Sequence, residues 1–222
     1  MVEGARLAVE AVRAGWRIEA QFVAPGEQPI DTPSELYALA PAVAERVSDL
    51  ETPPGLFAVV NRKLPDPNVL VTADFVVVAD RVGEPGNLGT IARSAEAAGA
   101  DAVVVTPGTV DETNPKVVRA SAGALFHVPV VAATLGEVAS AGLRLIGSSS
   151  HRGSPHTTTD WSGRIAIVAG NESTGLDAES AVDQWVCIEH RGRTESLNVA
   201  MATTVLCFEA LRQRVGGPPT SQ

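Results

Sequence analysis

From residue 74 onward the chain alternates short, nearly unbroken apolar runs with stretches of helical spacing. The runs are FVVVAD (75–80), DAVVVT (101–106), VPVV (128–131), LRLIGSSS (143–150), IAIVAG (165–170) and WVCI (185–188). Between the first two, Leu88, Ile91, Ala92, Ala95 and Ala98 recur with a period near 3.6 and predict a helix over about 89–98. Further helices are expected over 115–125, after 131, between 170 and 185, and from Asn198 to the end. Strands that are apolar at every position must be covered on both faces. The pattern therefore predicts an α/β fold, a parallel sheet with helices on both sides.

Residues 1–66 read as a smaller α/β unit. Ala5, Leu7, Ala8, Ala11, Val12 and Ala14 form one helical face that Gly15 ends. Residues 18–25 and 55–62 are expected strands, and 32–50 mainly helix. Two prolines in 63–74 mark a linker, 74–215 is the main domain, and 216–222 (GGPPTSQ) is a flexible tail. The main domain is expected to have a core independent of the small unit.

With 45% hydrophobic residues among 222, a sizeable core is available. No apolar run approaches the length that spans a bilayer, and the N-terminus has charges and helical periodicity instead of a signal core. Cys187 and Cys207 sit in apolar surroundings and read as buried thiols, with no disulfide and no metal site, which points to the cytoplasm. The net charge of −9 argues against a general polyanion binder. The cations nevertheless gather in or beside loops that follow strands: Arg93, Arg119, His151, Arg152, Arg191 and Arg193. The acids concentrate in the first fifty residues and in DAESAVD (177–183).

Open α/β sheets bind ligands at the carboxyl ends of their strands. Three segments begin there: NLGTIARSA (87–95), the turn GNESTG (170–175), and the loop and helix start IEHRGRTESLNV (188–199). Arg93 lies off the apolar stripe of its helix, where it can meet an anionic backbone or simply be solvated. Gly170 permits close backbone approach. Glu172 at a strand end can pair with an arginine or accept from backbone N–H groups. Gly147, Ser148 and Ser149 end another strand and either touch a ligand or form a plain loop. No G-x-G-x-x-G follows the first strand of the sheet, so the dinucleotide fingerprint is missing. No nucleophile elbow supports a catalytic triad either.

In order and spacing, these segments resemble the three signature motifs of the SpoU (TrmH) family of RNA 2′-O-ribose methyltransferases. The resemblance spans roughly 74–214. It implies a deep C-terminal trefoil knot and a homodimer, with Leu197, Met201, Val205 and Phe208 at the subunit interface or on the sheet. The implied cofactor is S-adenosylmethionine. The implied catalytic set is Arg93, Asn87, Glu172, Ser196 and Asn198, and the implied cofactor set is Gly147, Ser148, Ala169, Gly170, Asn171, Ile188, His190 and Leu197. Arg119, Arg152, Arg191 and Arg193 are the candidates for RNA contact. Arginine is a poor base, with a pKa above about 12, so Arg93 is expected to position and stabilise instead of taking a proton. Two departures stand out: Ser173 where the family often has Gly, and Glu189-His190 where relatives carry Pro-Met. His190 can stack on adenine, act on substrate, or pack structurally.

The small unit resembles an RNA-docking domain that usually continues upstream of the Val2-Glu3-Gly4 sequence, so it is expected to be truncated. Ribosomal RNA is the preferred substrate and transfer RNA the alternative. A non-catalytic RNA-binding protein of this fold and an ordinary nucleotide-binding α/β enzyme are the competing readings.

Overall fold

The computed structural model describes residues 1–48, 50–177 and 180–216. Among them two sheets form. The first is built from β1 (Val2–Glu3), β2 (Ile18–Val23), β3 (Glu35–Ala38) and β4 (Leu56–Val60) in the order β1-β4-β2-β3, with helices α1 (Ala5–Arg13) and α2 (Pro41–Val47). After a one-turn helix α3 (Val69–Thr72) comes the larger unit: β5 (Phe75–Ala79), α4 (Pro85–Ala97), β6 (Ala102–Val105), α5 (Pro115–Ala120), β7 (Val130–Ala132), α6 (Leu135–Ser140), β8 (Arg144–Ser149), β9 (Ser154–Pro155), β10 (Ile165–Ala169), β11 (Gln184–Cys187) and α7 (Val199–Gly216). Its seven strands run in the order β7-β6-β5-β10-β8-β11-β9, every pair parallel.

The two-residue side-chain period sorts the apolar strands onto both faces. Phe75, Val77, Ile165 and Ile167 join one core cluster with α4, α5 and α7. Val76, Val78, Ala166 and Val168 join the other with Val138 of α6. The strand order departs from the chain order: β10 lies between β5 and β8, β11 lies beyond β8, and α7 packs on α4 and β10.

Several local expectations are corrected. Residues 32–50 are not mainly helix. Glu35–Ala38 pairs in parallel with β2, and only Pro41–Val47 is helical. The cause is Pro41, which holds Ala40 extended (φ −73°, ψ 138°), so the helix cannot start earlier. In contrast, α4 begins at Pro85, four residues before the expected start, because proline suits the first helical position. Between β10 and β11, residues 171–177 form a turn instead of the expected short helix. Cys207 is fully buried and burial pushes its thiol pKa up to about 12, but Cys187 is only half-buried. The expected tail, 217–222, lies outside the described residues.

The cores are not independent. Val2, Leu7 and Ala11 of the first unit belong to the same cluster as the α4, α5 and α7 side of the large sheet. Trp16 meets Phe126 edge-on, with ring centroids 5.2 Å apart, and its Nε1–H donates to the Phe126 carbonyl at 3.0 Å. Beside them Arg119 of α5 pairs with the buried Glu3 of β1 at 2.7 Å.

Candidate active site

The loops after β8, β10 and β11 and the start of α7 line a cleft of about 560 Å³ at one end of the large sheet, and the loop after β5 is bonded to the turn after β10. That volume is ordinary for a small-molecule site.

The turn after β10 depends on two glycines and an asparagine. A Cβ at Gly170 would lie 2.4 Å from the Gly175 carbonyl carbon and the Leu176 nitrogen, so only glycine allows this approach. Asn171 Oδ1 accepts from the backbone N–H of Ser173 (2.9 Å) and Thr174 (3.1 Å), closing a side-chain-mediated turn. Its Nδ2 donates to the Arg81 carbonyl at 2.9 Å, which ties the turn to the loop after β5. Gly175 then takes a φ of +67°.

This turn aims Glu172 at the start of α4. No side chain of its own caps that helix, and Glu172 binds the two residues just before it and the Asn87 side chain in its first turn. Its carboxylate accepts from Gly83 N (3.1 Å), Glu84 N (2.9 Å) and Asn87 Nδ2 (3.0 Å). A negative charge suits a helix N-terminus. Partial burial alone would raise the Glu172 pKa. The bonds from Asn87 and the backbone outweigh it and hold the carboxyl below its ordinary value.

The chain of bonds continues into α7. Asn198 Nδ2 donates to Asn87 Oδ1 at 2.9 Å, while Asn198 Oδ1 accepts from Ala200 N (2.9 Å) and Met201 N (3.2 Å). Asn198 therefore caps the last helix and grips α4 with the same side chain. Further along, the Ser94 and Thr204 hydroxyls meet at 2.6 Å. Three segments distant in sequence are thus joined through Glu172, Asn87 and Asn198.

Residues 74–208 match the model of the SpoU rRNA methylase family. The chain belongs to that family. Over 217 residues it is 34% identical to the 23S rRNA (guanosine(2553)-2′-O)-methyltransferase RlmP of Bacillus subtilis, covering 94% of this chain and 86% of that one. Over 199 residues it is 35% identical to the 23S rRNA (uridine(2479)-2′-O)-methyltransferase of Streptomyces viridochromogenes, covering 83% and 69%. Its fold is also similar to the crystal structure of the SpoU methyltransferase AviRb from Streptomyces viridochromogenes in complex with AdoMet. There the TM-score is 0.85 and the identity 32%, with 97% of this chain and 90% of that one covered.

Ser148, Gly170, Asn171, Ile188, His190 and Leu197 line the cleft, as do Glu172 and Ser196. The His190 Nδ1 lies 3.0 Å from the Ile188 carbonyl, which leaves Nε2 for other partners. Gly147 lies beneath the lining, where a Cβ would come within 3.1 Å of Leu176. Ala169 is fully buried, and its carbonyl accepts from Asp80 N. Asn87 and Asn198 are not among the lining residues; their mutual hydrogen bond ties α4 to the start of α7 beside the cleft.

The cations divide. Arg152 lines the cleft with its guanidinium carbon 3.4 Å from the Trp185 ring centroid. Arg191 and Arg193 are exposed in the loop before α7. Arg93 is exposed more than two turns into α4, not near its start, and is not part of the cleft lining. Arg119 corrects expectation. Its Nη1 is paired with Glu3, with side chains 20% and 2% exposed, which places it at the seam between the two sheets and away from the cleft lining.

Trp185, Leu176 and Glu195 also line the cleft and were not singled out from the sequence. Trp185 was hidden inside an apolar run that reads simply as strand. Arg81 was also missed. It holds a φ of +56° in the loop after β5, donates through Nε to Asp80 at 3.1 Å, and offers its carbonyl to Asn171.

Proposed function

We propose that this protein transfers a methyl group from S-adenosylmethionine to a ribose 2′-hydroxyl of large-subunit ribosomal RNA. The hydrogen-bonded chain Glu172–Asn87–Asn198 carries this conclusion, because it joins all three motif segments of the family beside the cleft that Glu172 lines. The cleft suits the cofactor. Gly170 brings backbone close to a ligand, Ile188, Leu197 and Val199 offer apolar surface for a base, and Ser148 and Ser196 offer polar groups.

When bound, the cofactor supplies an electrophilic methyl group. The residues of this chain have the remaining work: seating the cofactor, aligning the attacking hydroxyl, and accommodating the negative charge that grows as that hydroxyl loses its proton. Arg93 is assigned the last role. Its planar cationic fork suits a phosphate and a developing alkoxide. Among the described residues it has no ion pair or hydrogen bond to break first.

A second copy completes this reading. On α7, Ala200, Thr203, Leu206 and Cys207 face the core, whereas Met201 (64% exposed), Val205 and Phe208 form an apolar outer stripe with Leu197 just before it. That face does not lie on the sheet of its own chain, and we assign it to a homodimer interface. Arg93 precedes Ser94, which bonds to Thr204 of α7, so the proposed interface would run close to the arginine. The C-terminal trefoil knot, RNA docking by the first unit, RNA contacts by Arg191 and Arg193, and action in the cytoplasm belong to the same proposal. Among the described residues no helix is long and apolar enough to cross a membrane.

The test is methyl transfer from labelled cofactor to unmodified 23S rRNA and, separately, to transfer RNA. A 2′-O-methylated linkage resists alkaline cleavage, which locates the product. Label entering ribosomal RNA at an alkali-resistant linkage is the expected result. Transfer to transfer RNA alone would reassign the substrate, and transfer to neither would sink the enzymatic reading.

A further inference from the structure

The cleft has two carboxylates on its lining, Glu172 and Glu195, and one arginine or lysine among the described residues, Arg152. The charge of Glu172 is already engaged by two backbone N–H groups and Asn87. Arg152 is different. Its guanidinium lies over the Trp185 ring and has no ion-pair or hydrogen-bond partner among the described residues.

This placement is built into the backbone. The loop after β8 folds back over β11, and at Gly153 a Cβ would lie 2.4 Å from the Trp185 carbonyl group and 2.6 Å from Val186 N. Gly153 also holds a φ of +107° that other residues rarely adopt, and its carbonyl receives the Cys187 thiol at 3.5 Å. Trp185 is fixed in turn by pairing with Gly147 of β8. Glycine at 153 therefore sets the preceding arginine over the indole, at the edge of the cleft.

A stacked guanidinium with free donors is preorganised for a carboxylate, because the ring takes one face of the cation and leaves its planar fork open. We propose that Arg152, held on Trp185, binds the α-carboxylate of the cofactor's amino-acid moiety and so selects for an intact amino-acid end. Glu195, from the loop before α7, offers the opposite charge for the α-ammonium. This inference rests on the cofactor assignment above and deepens it: it converts Arg152 from an RNA contact into a determinant of ligand specificity.

The test uses calorimetry with the full chain and two ligands. One is S-adenosylhomocysteine, and the other is its decarboxylated analogue, which lacks only the carboxylate. Arg152→Met should weaken S-adenosylhomocysteine about tenfold, the size of one partly exposed charge-assisted hydrogen bond. The decarboxylated analogue should bind Arg152→Met and the unaltered protein alike. Arg152→Lys should recover part of the loss, and Trp185→Leu should reproduce part of it while leaving the charge in place. Equal losses for both ligands would overturn the proposal, since the substitution would then have damaged the cleft generally. Unchanged affinity for S-adenosylhomocysteine, with a reduced salt dependence of RNA binding, would also overturn it and return Arg152 to the RNA. If the unaltered protein bound neither ligand, the cofactor assignment itself would fail, an outcome distinct from both.

Discussion

Replacing Glu172 by Gln tests whether one carboxylate holds the three motif segments together. The substitution keeps size and one carbonyl oxygen but removes the charge. It also turns an NH₂ group toward the donors Gly83 N, Glu84 N and Asn87 Nδ2. A hydrogen bond to a charged group contributes ~1.5–3 kcal/mol where water is excluded. Glu172 is exposed, so water competes and the three bonds together are worth only about 1–2 kcal/mol. Urea unfolding at pH 7 should show that loss, with the slope on denaturant unchanged.

The pH dependence gives the sharper readout. The native pKa of Glu172 lies below its ordinary value of 4.5. Its charge therefore stabilises the fold above the unfolded pKa, and that contribution disappears as pH falls through the native pKa. The gap between the unaltered protein and Glu172→Gln should accordingly be full at pH 6–8 and close as the pH is lowered below about 4. A gap of constant size across this range would refute the charge argument and leave only a packing effect. In the same variant, Asn87 loses its anchor and can no longer hold Asn198 in place. Cofactor affinity should fall with it.

Arg93→Ala should abolish methyl transfer while leaving calorimetric affinity for S-adenosylhomocysteine unchanged; near-normal turnover would remove it from the proposed site. Met201→Glu puts a charge into the outer apolar stripe of α7 and should convert a dimer to a monomer in light scattering at micromolar concentration. Replacing Arg191 or Arg193 by Gln should lower the salt dependence of RNA binding by roughly one unit of log–log slope each, whereas Arg119→Gln should leave that slope alone. Arg119→Met should instead destabilise the fold by about 3 kcal/mol, because Glu3 is left charged and buried; Glu3→Gln in the same chain should recover part of it.

The elements legible in the sequence are those whose signal is local. The apolar runs of β5, β6 and β10 have no polar side to show, and they lie inside the parallel sheet. Gly170 was legible because a glycine ending a buried strand has few other uses, and the geometry bears out its close approach. The β3 strand was not legible. Residues 35–38 have no burial pattern of their own, all four being exposed, and they are extended only because β2 offers an edge. Tertiary pairing there overrides local preference. Trp185 was missed for a related reason: its partner Arg152 lies in the loop after β8, and neither residue carries a mark of the other.

Arg119 has a partner that its sequence neighbourhood does not show. It lies on α5, and nothing local separates it from an RNA-binding arginine. Its partner is Glu3, 116 residues earlier, which also accepts from the Ser48 hydroxyl at 2.9 Å. That bond set joins β1, the end of α2 and α5 at the same seam where Trp16 meets Phe126. An ion pair this buried contributes little net stability over an apolar pair, but removing one member is costly. Its consequence is registration. The first unit cannot slide or swing on the large sheet without separating Glu3 from Arg119 and uncovering Val2, Leu7 and Ala11. If the first unit docks RNA, it docks it at a fixed offset from the cleft, and that offset would help decide which ribose arrives there. The expectation of a catalytic half indifferent to the state of the small unit fails on this point. Damage to β1 or α1 should propagate through the shared core to α5 and α4, and so to Asn87.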